Sequence, residues 1–340
     1  MRSKNLAALD RITLPELEET LNLHTLKQIP VDQWTEFSWS VSRHSLFDRC
    51  KRQYYLNYYG ARRVREAQNE MVSAIWWLKQ GITLKMWIGS VVHNVVQQAM
   101  RAYRDGQPMT HAEVLGLAVQ LFHGGLIASE RGSKHEGQWV VLMEHLYPDD
   151  KLLIDPAAEQ TLRELIHNFL TSESYALIRS LPAEAIYEID ESFQSFLMEG
   201  IPKLGSVRIF AIPDLLLMHN DVVTIIDWKT GDAERETIRY QAGVYRLYAH
   251  EAYNIPEYAI NVQIVDLAYG GQVLEPPGGT PTLDETQEFI TGSIASMVER
   301  MDYPMYNTVS IENFPMTDDL VLCQTCPFKR ACWRHTGTHE

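Results

Sequence analysis

Residues 206–229, SVRIFAIPDLLLMHNDVVTIIDWK, constrain the fold of this chain more than any other segment. Two runs rich in aliphatic and β-branched residues are separated by His219, Asn220 and Asp221, which is the pattern of a β-hairpin. Asn and Asp tolerate positive φ, so Asn220-Asp221 is the expected two-residue turn, and that turn pairs Asp214 with Asp227 across the ladder. Their Cβ atoms should then lie about 5 Å apart on one face, where like charges repel unless a cation intervenes. Lys229 follows Asp227 by two residues and shares its face. Pro213 has to sit at an edge, a strand start or a bulge.

Two carboxylates and an ammonium on one patch suit phosphodiester hydrolysis. Hard oxygen ligands hold Mg²⁺ or Mn²⁺, and such a metal lowers the pKa of a bound water and neutralises developing charge. A surface hairpin with solvated acids shows the same spacing, and a slip of one residue in register would separate the groups.

The rest of the chain gives the hairpin its setting. Residues 40–60, SVSRHSLFDRCKRQYYLNYYG, read as one Ser-capped amphipathic helix ended by Gly60. Ile88, Val91, Val92, Val95, Val96 and Ala99 recur at helical spacing and predict a buried helix that carries His93. Residues 110–180 continue mostly helical, and 304–340 read as a polar tail with three cysteines. Residues 1–39 read as a helical lead-in closed at Ile29-Pro30. No uncharged apolar run reaches the length of a membrane span, and the amino terminus has no apolar signal region, so a cytoplasmic protein with no membrane partner is expected. The net charge of −14 opposes nucleic-acid binding except where basic residues concentrate.

With these residues in place, the chain resembles the PD-(D/E)XK nuclease superfamily, in particular RecB-type nucleases that carry a cysteine-bound iron-sulphur cluster, such as AddB, exonuclease V and the CRISPR adaptation nuclease. Pro213-Asp214 matches the PD element, and Asp227-Trp228-Lys229-Thr230-Gly231 matches D-x-K-T-G. Gly89 to His93 resembles the G-x-x-x-H helix motif, and Gln241 to Tyr245 the Q-x-x-x-Y motif, in the right order along the chain. The resemblance implies that His93, Asp214, Asp227 and the main-chain carbonyl of Trp228 bind Mg²⁺ or Mn²⁺, that Lys229 is the catalytic lysine, and that Gln241 and Tyr245 line the site. Relatives often carry a further acid on the preceding strand; Glu188, Asp190 and Glu191 compete for that place.

Cys323, Cys326 and Cys332 form C-x2-C-x5-C near the carboxyl end, and Cys50 stands far upstream. Thiolates in this arrangement suit either an iron-sulphur cluster or zinc. The resemblance implies a [4Fe-4S] cluster that joins the chain ends. Spacing alone leaves open a zinc site made by the three late cysteines with His335 or His339. Lys51 stands where relatives often carry proline.

Arg43, Arg49, Lys51, Arg52, Arg62, Arg63 and Arg65 are interleaved with Tyr54, Tyr55, Tyr58 and Tyr59. Cations that track phosphates beside rings that stack bases are what a single-strand channel needs. Arg49, Arg52 and Tyr55 are therefore candidate substrate contacts, joined by Lys329, Arg330 and Arg334 near the late cysteines. The expected fold is a restriction-endonuclease-like α/β domain over residues 40–340. It would have a mixed sheet flanked by helices, a helical insertion at about 105–180 and a carboxyl-terminal cluster-binding extension. The expected function is metal-dependent DNA hydrolysis, by an exonuclease favouring single strands or ends, in repair, recombination, CRISPR or anti-phage defence. A catalytically idle DNA-binding or scaffold subunit is the alternative. No G-x-x-x-x-G-K-[ST] occurs, so a helicase or another repair or defence protein is an expected partner.

Overall fold

Asn220 and Asp221 both adopt left-handed backbone, with φ of 51° and 60°, and turn the chain back on itself in two residues. In this computed structural model the ladder then pairs His219 with Val222 and Leu215 with Ile226, the register the turn dictates. The structure describes residues 36–61, 70–147, 154–191, 194–231 and 234–332. Most of the expected lead-in (1–35), Arg62, Arg63, Arg65, Arg334, His335 and His339 lie outside the described residues.

The strands of the two principal sheets are β1 (Ser38–Trp39), β2 (Ile186–Ile189), β3 (Ser195–Ile201), β4 (Gly205–Phe210), β5 (Leu215–His219), β6 (Val222–Lys229), β7 (Ile260–Asp266) and β8 (Gln272–Leu274). The larger sheet has the order β8-β7-β6-β5-β2 and the smaller β1-β4-β3. β6 and β7 are parallel, whereas β5–β6, β7–β8 and β2–β5 are antiparallel. The expected first arm of the hairpin is divided. Residues 205–210 pair with β3 in the small sheet, and only 215–219 pair with β6. The reason is Pro213, which has no N–H to give a ladder, so the chain leaves one sheet and enters the other across residues 211–214.

Seven helices matter for the site: α1 (Val41–Arg49), α2 (Lys51–Tyr55), α3 (Leu84–Arg104), α4 (His111–Glu130), α5 (Ala158–Thr171), α6 (Arg235–Tyr253) and α7 (Leu283–Val298). Side chains on β5 and β6 alternate between two cores. Leu216, Val223 and Ile225 join α6, α7 and the small sheet, while Leu215, Leu217, Ile226 and Trp228 join α3, α4 and α5. Trp228 is fully buried and meets Phe169 of α5 edge-on at 5.6 Å. Helices within 105–180, together with α3, therefore pack over one face of the large sheet. α4 is long and apolar enough by composition to cross a membrane, with mean hydropathy of 1.3. Its Val114, Ala118, Leu121 and Phe122 instead pack into the second core.

Helix boundaries follow local chemistry. Thr110–Glu113 and Thr282–Glu285 form complete capping boxes that start α4 and α7. The segment 40–60 is not one helix. Ser40 caps α1 as expected, but Cys50 is extended, its sulphur accepts from the Gln53 N–H to restart the chain as α2, and residues 56–60 widen into a π-turn. The tail is also less polar in effect than its composition, because Val309, Ile311 and Phe314 are buried in the first core.

Asp221 is exposed, so its conformation can be tested without disturbing packing. Asp221→Ala should cost about 1 kcal/mol, because alanine lacks the local hydrogen bonds that let Asp occupy left-handed backbone. A urea unfolding curve reads the change.

Candidate active site

Asp227 falls on β6 between Ile226 and Trp228, and alternation turns it toward α6. Its side chain is almost fully buried. Tyr245 donates its hydroxyl to Oδ1 at 2.6 Å, and Gln241 approaches the same oxygen at 3.4 Å while donating to the Tyr245 hydroxyl at 2.7 Å. Gln241 and Tyr245 are four residues apart on one face of α6, which is why they act on the same carboxylate. Lys229 Nζ stands 2.5 Å from Asp227 Oδ2. The ammonium lies off the line of a hydrogen bond, so this buried oxygen has an ionic neighbour and no aligned donor.

Asp214 lies immediately before β5, where the chain has just crossed from the small sheet. The Trp228 N–H donates to its Oδ2 at 2.7 Å, and His93 Nδ1 of α3 contacts its Oδ1 at 2.8 Å. The structure therefore brings Asp214, Asp227, Lys229, His93, Gln241 and Tyr245 into one neighbourhood from β6, α3, α6 and the segment that leads into β5. Burial, followed by the repulsion of Asp227, raises the pKa of Asp214 against the opposing pull of His93. Burial alone would lower the pKa of His93, but attraction to Asp214 and the hydrogen bond its imidazole donates to that carboxylate raise it overall. Burial and the nearby carboxylates push the Tyr245 hydroxyl well above its ordinary range, so it stays a proton donor.

Among the described residues, no three His, Cys, Asp or Glu side chains are drawn tightly enough to form a preformed metal cage. The donor chemistry nevertheless fits a hard divalent cation. The half-buried Asp214 and the buried Asp227 carboxylates stand close enough for Asp227 to raise the pKa of Asp214, and paired hard oxygen donors of this kind suit a divalent cation.

Two motif positions acquire a physical reason. A Cβ on Gly89 would come within 2.8 Å of Thr230 Oγ1, so the first residue of the helix motif is the space that lets the segment after Lys229 lie against α3. A Cβ on Gly231 would meet Lys85 at the same distance.

Among the competing acids, Asp190 is the one brought to the site. Its N–H donates to the Asp214 carbonyl at 3.1 Å, and its carboxylate accepts from Gln97 of α3, also at 3.1 Å. Burial and then Asp214 raise its pKa. Glu188 is buried elsewhere, accepting from Tyr248 at 2.9 Å and from Tyr253, and Glu191 is exposed. Spacing could not separate the three. The useful signal is that Asp190 follows the end of β2 with a φ of 39°, which turns it out of strand alternation.

Cys50, Cys323, Cys326 and Cys332 line a single pocket with Gln53, Leu322 and Phe328. The break at Cys50 is what aims an early residue at the late ones. Burial, with the other three cysteines acting in the same direction, pushes the Cys326 thiol up to about 12. Four sulphurs that would repel one another as thiolates fit a soft cationic centre as a donor set.

The basic and aromatic segment needs correction. Tyr55 is only 5 % exposed and packs on Phe314 and Tyr59, so it has no free face for a base. Arg52 donates to the Phe314 carbonyl at 2.8 Å and ties α2 to the tail. Arg43 is buried among Phe37, Tyr54 and Tyr58 and donates to the Ser38 carbonyl. Lys329 is buried over the Tyr147 ring and donates to the Gln324 carbonyl. Arg49 is exposed and lines a cleft of about 1550 Å³ that also reaches Lys229, Gln241 and Tyr245.

The family model of the PD-(D/E)XK nuclease superfamily matches residues 38–333, and the chain belongs to that superfamily. Its members are hydrolases that act on nucleic acids and generally use divalent metals. No curated protein matches the chain.

Gly89→Ala should destabilise the protein by about 1–3 kcal/mol through overpacking against Thr230, and should slow catalysis by displacing the segment that carries Lys229. Gly116→Ala, where a Cβ meets nothing within 4 Å, should instead stabilise α4 by about 0.5–1 kcal/mol. Thermal melts of both variants, with nuclease assays of the first, check the contrast.

Proposed function

We propose that this protein is a metal-dependent deoxyribonuclease of RecB type, an exonuclease acting on single-stranded DNA or DNA ends, with a [4Fe-4S] cluster on Cys50, Cys323, Cys326 and Cys332. One observation carries the catalytic reading. Lys229, paired with Asp227 beside Asp214 and His93, opens with Gln241 and Tyr245 onto a cleft too large for an ordinary small-molecule pocket of about 300–1,000 Å³. A segment of polymer matches that size.

His93, Asp214, Asp227 and the Trp228 carbonyl would hold Mg²⁺ or Mn²⁺. When bound, the metal supplies Lewis-acid polarisation of the phosphate and lowers the pKa of a water. The chain supplies the rest. Asp227 keeps the Lys229 ammonium at the site, where it can orient the attacking water and offset negative charge that develops on the phosphoryl oxygens. Tyr245 and Gln241 fix the Asp227 carboxylate from the α6 side, so that carboxylate and ammonium are positioned before substrate arrives. His93 and the Trp228 N–H hold Asp214 in the same way. The cluster would be structural, joining α2 to the tail beside the Arg52–Phe314 contact. A helicase or other repair or defence protein would supply duplex opening, since no P-loop motif occurs in these 340 residues.

End-labelled single- and double-stranded DNA, incubated with anaerobically purified protein and Mn²⁺ or Mg²⁺, tests the activity. Asp227→Ala and Lys229→Ala should each lower cleavage by a factor on the order of 10²–10³ or more while leaving the brown colour of the protein intact. Retained cleavage by Asp227→Ala would remove the metal-site assignment, and chelation by EDTA should stop the wild type.

Cys326→Ala should lose the colour, the iron and much of the thermal stability, because metal binding energy in such a site is folding energy. A colourless wild type that contains zinc and no iron would overturn the cluster.

A further inference from the structure

The wall of the cleft formed by α6 and α7 carries a ring pair that the catalytic reading does not use. Tyr240 of α6 and Phe289 of α7 lie parallel, with centroids 3.5 Å apart and planes within 4°. Both rings line the cleft that reaches Lys229, and Tyr240 immediately precedes Gln241. Two isolated rings prefer an offset or edge-on arrangement to this face-to-face overlap. The overlap is held from behind. His44 and Trp39 meet Phe289 edge-on at 4.8 and 6.0 Å, and the Ser293 hydroxyl anchors both, at 2.8 Å from each. Phe289 is thus fixed from two sides, and Tyr240 lies flat on it. Neither ring is buried.

Resting on the nuclease reading, we propose that the Tyr240–Phe289 pair is a stacking site for an unpaired nucleobase of a single strand whose backbone runs to Lys229. A rigid aromatic stack suits a base of any identity, because every base has a π-face, and it selects unpaired over paired strands because a duplex hides those faces. The Arg239 guanidinium lies over the Tyr240 ring, 5.5 Å from its centroid and 3.7 Å from Glu285, and swings aside on its partly exposed ion pair to admit a base against the ring.

The test uses the full chain carrying Lys229→Ala, so that strands are bound without being cut. A short oligothymidylate should bind about tenfold more tightly than an abasic strand of equal length, the range that one stacked base contributes. A 2-aminopurine placed along the strand should be quenched on binding. Tyr240→Leu should reduce oligothymidylate binding to the abasic level, and Tyr240→Phe should restore it. Equal affinity of the parent protein for the two strands would overturn the proposal without any substitution at the ring pair. So would a Tyr240→Leu protein that melts like its parent and keeps the preference. Displacement of the strand by a free mononucleotide at comparable concentration would reassign the site to a nucleotide ligand. Wild type that cuts single strands but shows no base preference overturns the stacking site alone, whereas wild type that neither binds nor cuts any nucleic acid overturns the nuclease reading with it.

Discussion

A carboxylate buried in the middle of an apolar strand sets the terms for everything around it. Asp227 has Ile226 and Trp228 as neighbours, both fully buried on the opposite face of the sheet, so the strand cannot shift to let the acid reach water. Burying an ionised carboxylate without partners is prohibitive, and the surrounding structure supplies them on the one face left. Lys229 can only be two residues away, because alternation demands it. The parallel pairing of β6 with β7 requires a crossover helix, and that crossover lays α6 over the Asp227 face with Gln241 and Tyr245 inward. Asp214 reaches the same point because Pro213 forbids continued pairing, so the chain passes between sheets where their edges part. His93 then arrives from the opposite helical layer. Four segments meet at one place because each is bound by a backbone constraint, and charge density concentrates where they meet.

The second dependency joins the chain ends. Cys50 breaks a helix that its neighbours would otherwise continue, and its own sulphur caps the next turn. α2 is then held to the tail by the Arg52 side chain on the Phe314 carbonyl and the Arg52 N–H on the Pro315 carbonyl. Phe314 in turn sits among Tyr54, Tyr55 and Tyr59. Leu322 lines both the cysteine pocket and the large cleft, so the packing around the four sulphurs forms part of the wall of the candidate substrate channel. A structural centre on these cysteines would shape the cleft without touching the reacting atoms.

Local rules made much of the site legible in the residues themselves. The Asn220-Asp221 turn fixes its register alone, and the register orders Asp227 and Lys229. The apolar spacing of α3 likewise places His93 on a buried helix. What stayed hidden depends on long-range geometry or on which way a side chain faces. Glu188 and Asp190 are two residues apart and chemically alike, yet one is enclosed by tyrosines of α6 and the other, itself in left-handed backbone, meets Asp214. Arg43, Tyr54 and Tyr55 have the composition of a nucleic-acid surface and form a core instead, because a cation can lie against ring faces inside a protein as readily as outside it. Tyr240 and Phe289 are 49 positions apart on helices whose contact no local pattern encodes.

That inversion changes the physics of binding. The cleft retains Arg49 and Lys229 as exposed or half-buried cations, but Lys229 is tied to Asp227, and Glu36, Asp48, Glu234 and Glu236 line the same walls. With a net charge of −14 behind them, these walls cannot attract a strand chiefly through release of phosphate counterions. Affinity has to come from groups that act at short range. A divalent cation held by Asp214 and Asp227 would neutralise charge only at the phosphate it met, and the proposed ring stack would gain only from a base laid flat upon it. Both terms vanish for a strand that is out of place. An acidic cleft of this construction holds DNA weakly wherever it is misaligned and firmly where phosphate and base are seated together, so the charge that opposes binding in general favours binding at the reacting position.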